Sequence, residues 1–286
     1  MAMLDLAQGI SKEKHNRFTI LMGKPGSGKT TVAGTFPKPI LYVAIETDGG
    51  GEVLKGYSDD EIKTIHLESD VPGTTGARHV QNKLMELLTE LEGNHPYKTV
   101  IIDAYSSVEE SVVNYMEKVK GKKLSIDERG GVASTMLKVR DKIVSLSQGD
   151  VEYVCVCHIK DKESTDNTTG EKSIMIIPKM SYNNGNLLLE RASAVVYCAR
   201  KTIINDDNTR RVAFLSYIGA HPNMDTKLRT AGKKIDNGLY IEDFTYDKLM
   251  EIINGTTKVE NIEKLNVVEP KEDSSTKNDN NTEEEW

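Results

Sequence analysis

Residues 23–30 read Gly23-Lys24-Pro25-Gly26-Ser27-Gly28-Lys29-Thr30, a complete G-x-x-x-x-G-K-T pattern, and a second hydroxyl residue, Thr31, follows. Each residue type suits a task at an anion. Glycines let the backbone bend so that successive N–H groups point inward at phosphate oxygens, forming a nest where a helix begins. The Lys29 ammonium is long enough to reach terminal phosphates, and the Thr30 hydroxyl is an oxygen ligand of the kind Mg²⁺ takes. An apolar stretch with Phe18, Ile20 and Met22 precedes the pattern, and residues 31–36 behind it suit a helix. Strand, loop and helix in that order are the setting in which this pattern binds phosphate instead of making an ordinary glycine turn. The expected ligands are a nucleoside triphosphate, ATP before GTP because no Asn-Lys-x-Asp guanine motif is present, and Mg²⁺.

A phosphate loop needs a second carboxylate for the metal. Residues 99–103 form an apolar run ending in Asp103, the Walker B form, although an Asp capping the next helix would look the same. Residue 104 is Ala, so the glutamate that AAA+ enzymes and many other ATPases keep directly after this Asp to polarise water is missing. A base must come from elsewhere. Glu46 closes the apolar run 40–45, at the strand end where open α/β sheets place ligands. It is the candidate base, the alternative being a surface acid opening the glycine turn behind it. His158 closes the run 153–157 in the same way and is a candidate sensor of the terminal phosphate, or a histidine satisfied within a loop.

These groups need a scaffold. Strand-length apolar runs fall at 18–22, 40–45, 99–103, 153–157, 194–198 and 211–217. Helical stripes lie between them: Ala77 to Leu91, Val108 through Val112, Tyr115 and Met116 to Val119, and Val132 through Met136, Val139 and Ile143 to Leu146. The alternation predicts an α/β fold, a mostly parallel twisted sheet flanked by helices. Two segments break it. Residues 118–131 gather Lys118, Lys120, Lys122, Lys123 and Arg129 around three glycines. Residues 160–172 are polar and aperiodic, with Lys160, Lys162 and Lys172, and lead past 174–177 to Asn183-Asn184-Gly185. Both suit contacts to nucleic-acid phosphates, or merely solvated charge. The expected organisation is a lead-in over 1–16, an ATPase core over 17–254 and an acidic, largely disordered tail over 255–286.

Composition narrows the classes further. With 286 residues the chain can bury one α/β core with appendages. Its net charge is −7, and residues 269–286 hold seven acidic side chains against two lysines, so the remaining body is near neutral. A global positive field is therefore excluded as the basis of nucleic-acid binding. No run is long and apolar enough to span a membrane, no signal-peptide core opens the chain, and three cysteines suit a reducing compartment, so a cytoplasmic protein is expected. Cys155-x-Cys157-His158 lacks a second cluster to complete a metal site.

The order of these features resembles the RecA/Rad recombinase ATPase core, and more narrowly the small phage-encoded RecA-like ATPases of the Sak single-strand-annealing group, over about residues 17–220. The second strand, Tyr42-Val43-Ala44-Ile45-Glu46-Thr47-Asp48, is similar to theirs. The resemblance implies that Glu46 activates water and that His158, where the family usually has Gln, couples the γ-phosphate to a DNA-binding loop behind it. It places the two DNA-facing loops at 118–131 and 159–186. It also implies a homo-oligomer, ring or filament, with a cation reaching the neighbouring subunit's nucleotide, for which Arg200, Lys201, Arg210, Arg211 and Arg229 are candidates. The family's Phe-containing polymerisation motif is missing. The implied activity is a DNA-dependent ATPase that binds single-stranded DNA and promotes annealing or strand exchange in phage recombination. A replication helicase or helicase loader, and a nucleotide-gated interaction module, are the alternatives. The terminal Glu283-Glu284-Glu285-Trp286 resembles the tips of single-strand-binding proteins, which makes such a protein a candidate partner.

Overall fold

Phe18–Gly23 is buried at every position and forms β1, an interior strand of the main sheet. A strand buried on both faces reads as continuous apolar sequence, the mark of a sheet covered above and below. The computed structural model describes residues 17–45, 50–67, 80–165, 172–205, 207–219, 223–229 and 240–255. Glu46, the lead-in and the tail beyond Gly255 lie outside the described residues. After β1 come α1 (Lys29–Ala33), β2 (Ile40–Ala44), a 3-10 turn at Gly50–Leu54, β3 (Ile62–His66), α2 (Val80–Glu90) and β4 (Thr99–Asp103). They are followed by α3 (Ser106–Lys120), α4 (Arg129–Leu146), β5 (Glu152–Cys157), β6 (Ile159–Thr165), β7 (Lys172–Pro178) and α5 (Tyr182–Arg191). The described chain ends with β8 (Ala194–Ile204), β9 (Arg210–Tyr217), β10 (Lys227–Leu228), β11 (Tyr240–Glu242) and α6 (Tyr246–Asn254).

The main sheet runs β11-β9-β8-β1-β5-β4-β2-β3, with β10 on β8, and β6 and β7 form a separate ribbon. From β8 to β3 every pairing is parallel, while β9, β10 and β11 add antiparallel pairings. The expected α/β class with a mostly parallel sheet holds. One face packs Phe18, Ile20, Met22, Val100, Ile102 and Cys155 against α2, α3, α4 and α5. The other packs Leu21, Tyr42, Ile101, Val154 and Val196 against α1 and α6. Val132, Met136, Val139 and Ile143 put one stripe of α4 into the first core at spacings of four, three and four.

The departures from the expected elements have physical reasons. The strand expected at 194–198 runs on to Ile204 because β9 extends its ladder from Cys198↔Ser216 to Ile204↔Arg210. The described part of the aperiodic segment, 160–165 and Lys172, is strand: residues 160–165 of β6 are all polar and pair with β7, whose apolar residues 174–177 lie opposite 160–163, so β6 itself shows no apolar run. Asn183-Asn184-Gly185 lies inside α5 and makes no turn. The buried Glu109 carboxylate accepts from the Ser181 N–H at 2.7 Å and from Asn184 Nδ2 at 2.7 Å, so a contact from distant α3 holds the start of that helix. The basic break at 118–131 is a turn set between two helix ends: α3 continues to Lys120 and closes on Gly121 in the left-handed conformation (φ 65°), and 122–128 form the turn before α4 begins at Arg129. Val119, expected on the apolar stripe, is 66% exposed. The helix behind the glycine loop begins at Lys29 and is only five residues long. Sequence periodicity also passed over α6, which opens with the Thr245 hydroxyl accepting from the Lys248 N–H.

Candidate functional site

The carboxyl edge of the sheet gathers the candidate groups through strand register. Met22 pairs with Cys157, Asp103 with Val156, and Ala44 with Asp103, so β1, β5, β4 and β2 end level with one another. The loop leaves β1 there. Gly26 (φ 71°) and Gly28 (φ 86°) take left-handed backbone, which side chains disfavour. A Cβ at Gly23 would run into the Cys198 carbonyl and Ser27 Oγ, so this position needs glycine for space. Lys29 is 6% exposed and its Nζ donates to the carbonyls of Gly23 at 3.0 Å and Lys24 at 2.9 Å, which stretches the ammonium across the loop. Lys24, Pro25 and Gly26 form the exposed crest, while Ser27 Oγ is buried without a hydrogen-bond partner among the described residues. A buried polar atom of this kind is costly unless something meets it.

Beneath the loop, Thr30 Oγ1 donates to Asp103 Oδ2 at 2.8 Å, and the Tyr42 hydroxyl donates to the same oxygen at 2.9 Å. Burial pushes the Asp103 carboxyl upward, against these two hydrogen bonds and the nearby charges of Lys29 and His158. A hydroxyl and a carboxylate in contact are the hard oxygen donors Mg²⁺ takes, and a partly desolvated carboxylate gains by meeting a cation. Thr30 and Asp103 thus fit a magnesium ion, and the orphaned Ser27 with the glycine cradle fits a phosphate group.

His158 follows β5 directly. Its backbone N–H donates to Ser106 Oγ at 3.1 Å, and its charge acts on Asp103, so the residue belongs to the same edge. Glu46 stands two positions beyond Ala44, outside the described residues, and Thr31 faces a cleft beside the loop. Tyr42 and Ser106 join the site without having been singled out from sequence. Their contacts with Asp103 and His158 span 61 and 52 residues, and only strand order reveals them.

The basic residues are less uniform than their spacing suggests. Lys120 and Lys122 pair with Glu128 at 2.6 and 3.7 Å, whereas Lys118, Lys123 and Arg129 are exposed. In the β6–β7 hairpin side chains alternate between faces, so Lys160 and Lys162 share one face while Lys172 lies on the face of Asp161 and Glu163. Among the trans-acting candidates, Arg211 is held by Glu242. Arg229 donates to the Glu190 carbonyl at 2.8 Å. Its backbone N–H donates to the carbonyl of Ser193, which in turn bonds Phe18, so Arg229 sits at the opposite, amino end of the sheet. Arg200 and Arg210 are exposed on the part of the β8–β9 ribbon that runs past the end of β1. Cys155 and Cys157 are core residues, and burial pushes the Cys157 thiol up to about 12. Among the described residues there is no cluster of three metal-ligating side chains and no helix long and apolar enough to cross a membrane.

A glycine loop on the carboxyl edge of a mostly parallel sheet, with one strand between it and the strand of Asp103, defines a RecA-like P-loop nucleotide-binding core. The chain belongs to the AAA domain family, matched over residues 15–230. Within that family it carries Ala104 after Asp103. No curated protein matches it. Among solved structures it is similar to a prototypical ATPase from the type III secretion system of pathogenic bacteria, at 12% identity, over 64% of this chain and 51% of that one, with a TM-score of 0.43. It is also similar to the flagellar accessory protein FlaH from Methanocaldococcus jannaschii, at 10% identity, over 71% and 77% of the two chains, with a TM-score of 0.41. The chain spans about half the length of the secretion ATPase.

Proposed function

We propose that the protein is a Mg²⁺-dependent ATPase that binds single-stranded DNA and promotes annealing or strand exchange, in keeping with its resemblance to the phage single-strand-annealing ATPases. In this reading Lys29 and the loop N–H groups hold the phosphates, Thr30 and Asp103 hold the metal, and Glu46 takes the proton of the attacking water. Magnesium, when bound, supplies charge neutralisation on the terminal phosphates. His158 joins the phosphate edge to β6, which begins at the next residue.

One observation carries the DNA part: both basic elements stand on the side of the sheet where the loop lies. The β6–β7 hairpin leaves the carboxyl end of β5 directly. The position of the α3–α4 turn follows from α4. Its far end meets the amino edge of the sheet, where the Arg17 N–H donates to Ser147, and Met136 is level with Tyr105 at the carboxyl edge. Arg129, seven residues earlier, is therefore about 10 Å further out at 1.5 Å per residue. A strand lying across both elements would feel any shift of the phosphate edge. The homo-oligomer belongs to the same proposal, with Arg200, Lys201 and Arg210 as the cations for a neighbour's site, and a single-strand-binding protein is the proposed partner of the acidic tail.

The test is to mix complementary single strands with the protein, ATP and Mg²⁺, and to offer a forked duplex in parallel. Faster annealing with an intact fork is the expected outcome. Unwinding of the fork would instead favour a helicase, and no effect on either substrate would remove the recombination reading.

A further inference from the structure

We propose that the turn between α3 and α4 is a docking surface for the acidic segment Glu283-Glu284-Glu285-Trp286 of the same chain. The contact itself needs no nucleic acid, while its consequence for strand binding rests on the reading that this turn meets DNA. Among the described residues, the two most exposed large apolar side chains are Ile126, at 88%, and Val119, at 66%. Both stand at this one turn, among the exposed cations Lys118, Lys123 and Arg129. Leu124 anchors the turn: its side chain is buried in the core and its N–H donates to Glu117 at 3.1 Å, while Ile126, two residues on, is held out in water. Lysine and arginine alone satisfy phosphates. A ligand that joins negative charge to a large apolar group uses the aliphatic pair as well. The other basic element lacks this combination. On the β6–β7 hairpin the exposed Ile174 pairs across the ladder with Glu163, on the face that also carries Asp161, so an acidic partner is repelled there.

The chain supplies such a ligand. Residues 269–286 hold seven acidic side chains against two lysines, and Glu283-Glu284-Glu285 run directly into Trp286, the only tryptophan of the chain. Lys120 and Lys122 are engaged by Glu128, so the carboxylates of this segment address Lys118, Lys123 and Arg129. The indole covers aliphatic surface with its body and attracts a cation to its face. Reach is no obstacle. Glu283 stands about 28 residues beyond Gly255, the last described residue, and at roughly 3.3–3.6 Å per residue the connection spans up to about 95 Å. A domain of about 240 residues has a radius of gyration of about 18 Å, so every point on its surface lies within that span. Exposed ion pairs are individually weak, but a segment tethered to its own surface meets that surface intramolecularly, and modest affinity is enough to hold it there.

Trp286 reports its own position. In the full chain, at low salt and without DNA, its fluorescence should be blue-shifted and less quenched by acrylamide than that of a synthetic peptide of residues 278–286. Both differences should shrink at 1 M salt, where the screening length falls to about 3 Å. Ile126→Ser and Lys123→Gln, both at exposed positions, should each move the emission toward the peptide value, whereas Lys162→Gln in the hairpin should not. A chain ending at Val268 should bind single strands about 3- to 10-fold more tightly at low salt, the hold of a few exposed ion pairs. Peptide-like emission in the unmodified chain, or emission indifferent to Ile126→Ser and Lys123→Gln, would overturn the docking. Shielding of Trp286 that grows with protein concentration would also overturn it, in favour of the same segment of a second copy. Shielding that is lost in both variants, with strand binding no tighter in the shortened chain, would support the docking and refute strand binding at the turn.

Discussion

At the scale of residues, the site divides into groups that sequence spacing announces and groups that only packing supplies. The glycine loop is contiguous, so its glycines, Lys29 and Thr30 are legible in one dimension. Asp103 is legible as the end of an apolar run, and the structure puts its carboxylate 2.8 Å from Thr30. Tyr42 could not be read, because an interior strand tyrosine looks like any other core residue until register sets it beside Asp103. Two substitutions test the chemistry. Asp103→Ala should raise the Mg²⁺ concentration needed for half-maximal turnover, because Thr30 would lose its carboxylate partner; unchanged magnesium dependence would move the metal elsewhere. Glu46→Gln should keep nucleotide binding and lower turnover by about 10²–10⁴, the usual loss when a positioned base is removed. Hydrolysis at the parental rate would mean that another group activates water.

At the scale of elements, legibility follows burial. Strands β1, β2, β4 and β5 are covered on both faces and read as apolar runs, and the α4 stripe reads at helical spacing. Strand β6 did not, since after Ile159 it is polar and mostly exposed and has no buried face to impose a pattern. Helix α5 was hidden for a different reason: Asn183, Asn184 and Gly185 are turn formers, and the Glu109 contacts from α3 override them. Glu109→Ala would leave the buried Asn184 amide without this partner and the exposed Ser181 N–H to water. It should cost about 1–3 kcal/mol in denaturant unfolding, the usual loss for one buried group left unmet. A loss near zero would show that water replaces the carboxylate there. The α3–α4 turn makes a second prediction. Hydrogen bonds from Lys120 and from Ser125 hold the Glu128 carboxyl down to about 2, so the acid stays ionised and engages Lys120 and Lys122 across the neutral range. It would be neutralised only as pH falls through about 2. Glu128→Gln should therefore release two lysines, tighten single-strand binding at neutral pH and steepen its salt dependence, each added phosphate contact contributing a slope of about −0.7. An unchanged slope would return these lysines to the solvated surface.

At the scale of the whole molecule, the order β8-β1-β5-β4-β2 brings the strand ends into one edge, and the two cores on either face make that edge rigid. Rigid placement is what lets Lys29, Thr30, Asp103 and His158 meet although they are spread across 130 residues of chain. The near-neutral body offers no long-range pull on nucleic acid, so any DNA contact depends on the two basic elements above that edge. In the proposed function, phosphate chemistry at the loop and strand binding at those elements are one coupled process. Steady-state ATP turnover by the full chain, with Mg²⁺ and with or without single-stranded DNA, tests it most directly. Slow basal hydrolysis, acceleration by single strands, and loss of both in Lys29→Ala are the expected results. Turnover that is the same with and without DNA would contradict the coupling, and turnover that persists in Lys29→Ala would contradict the site itself.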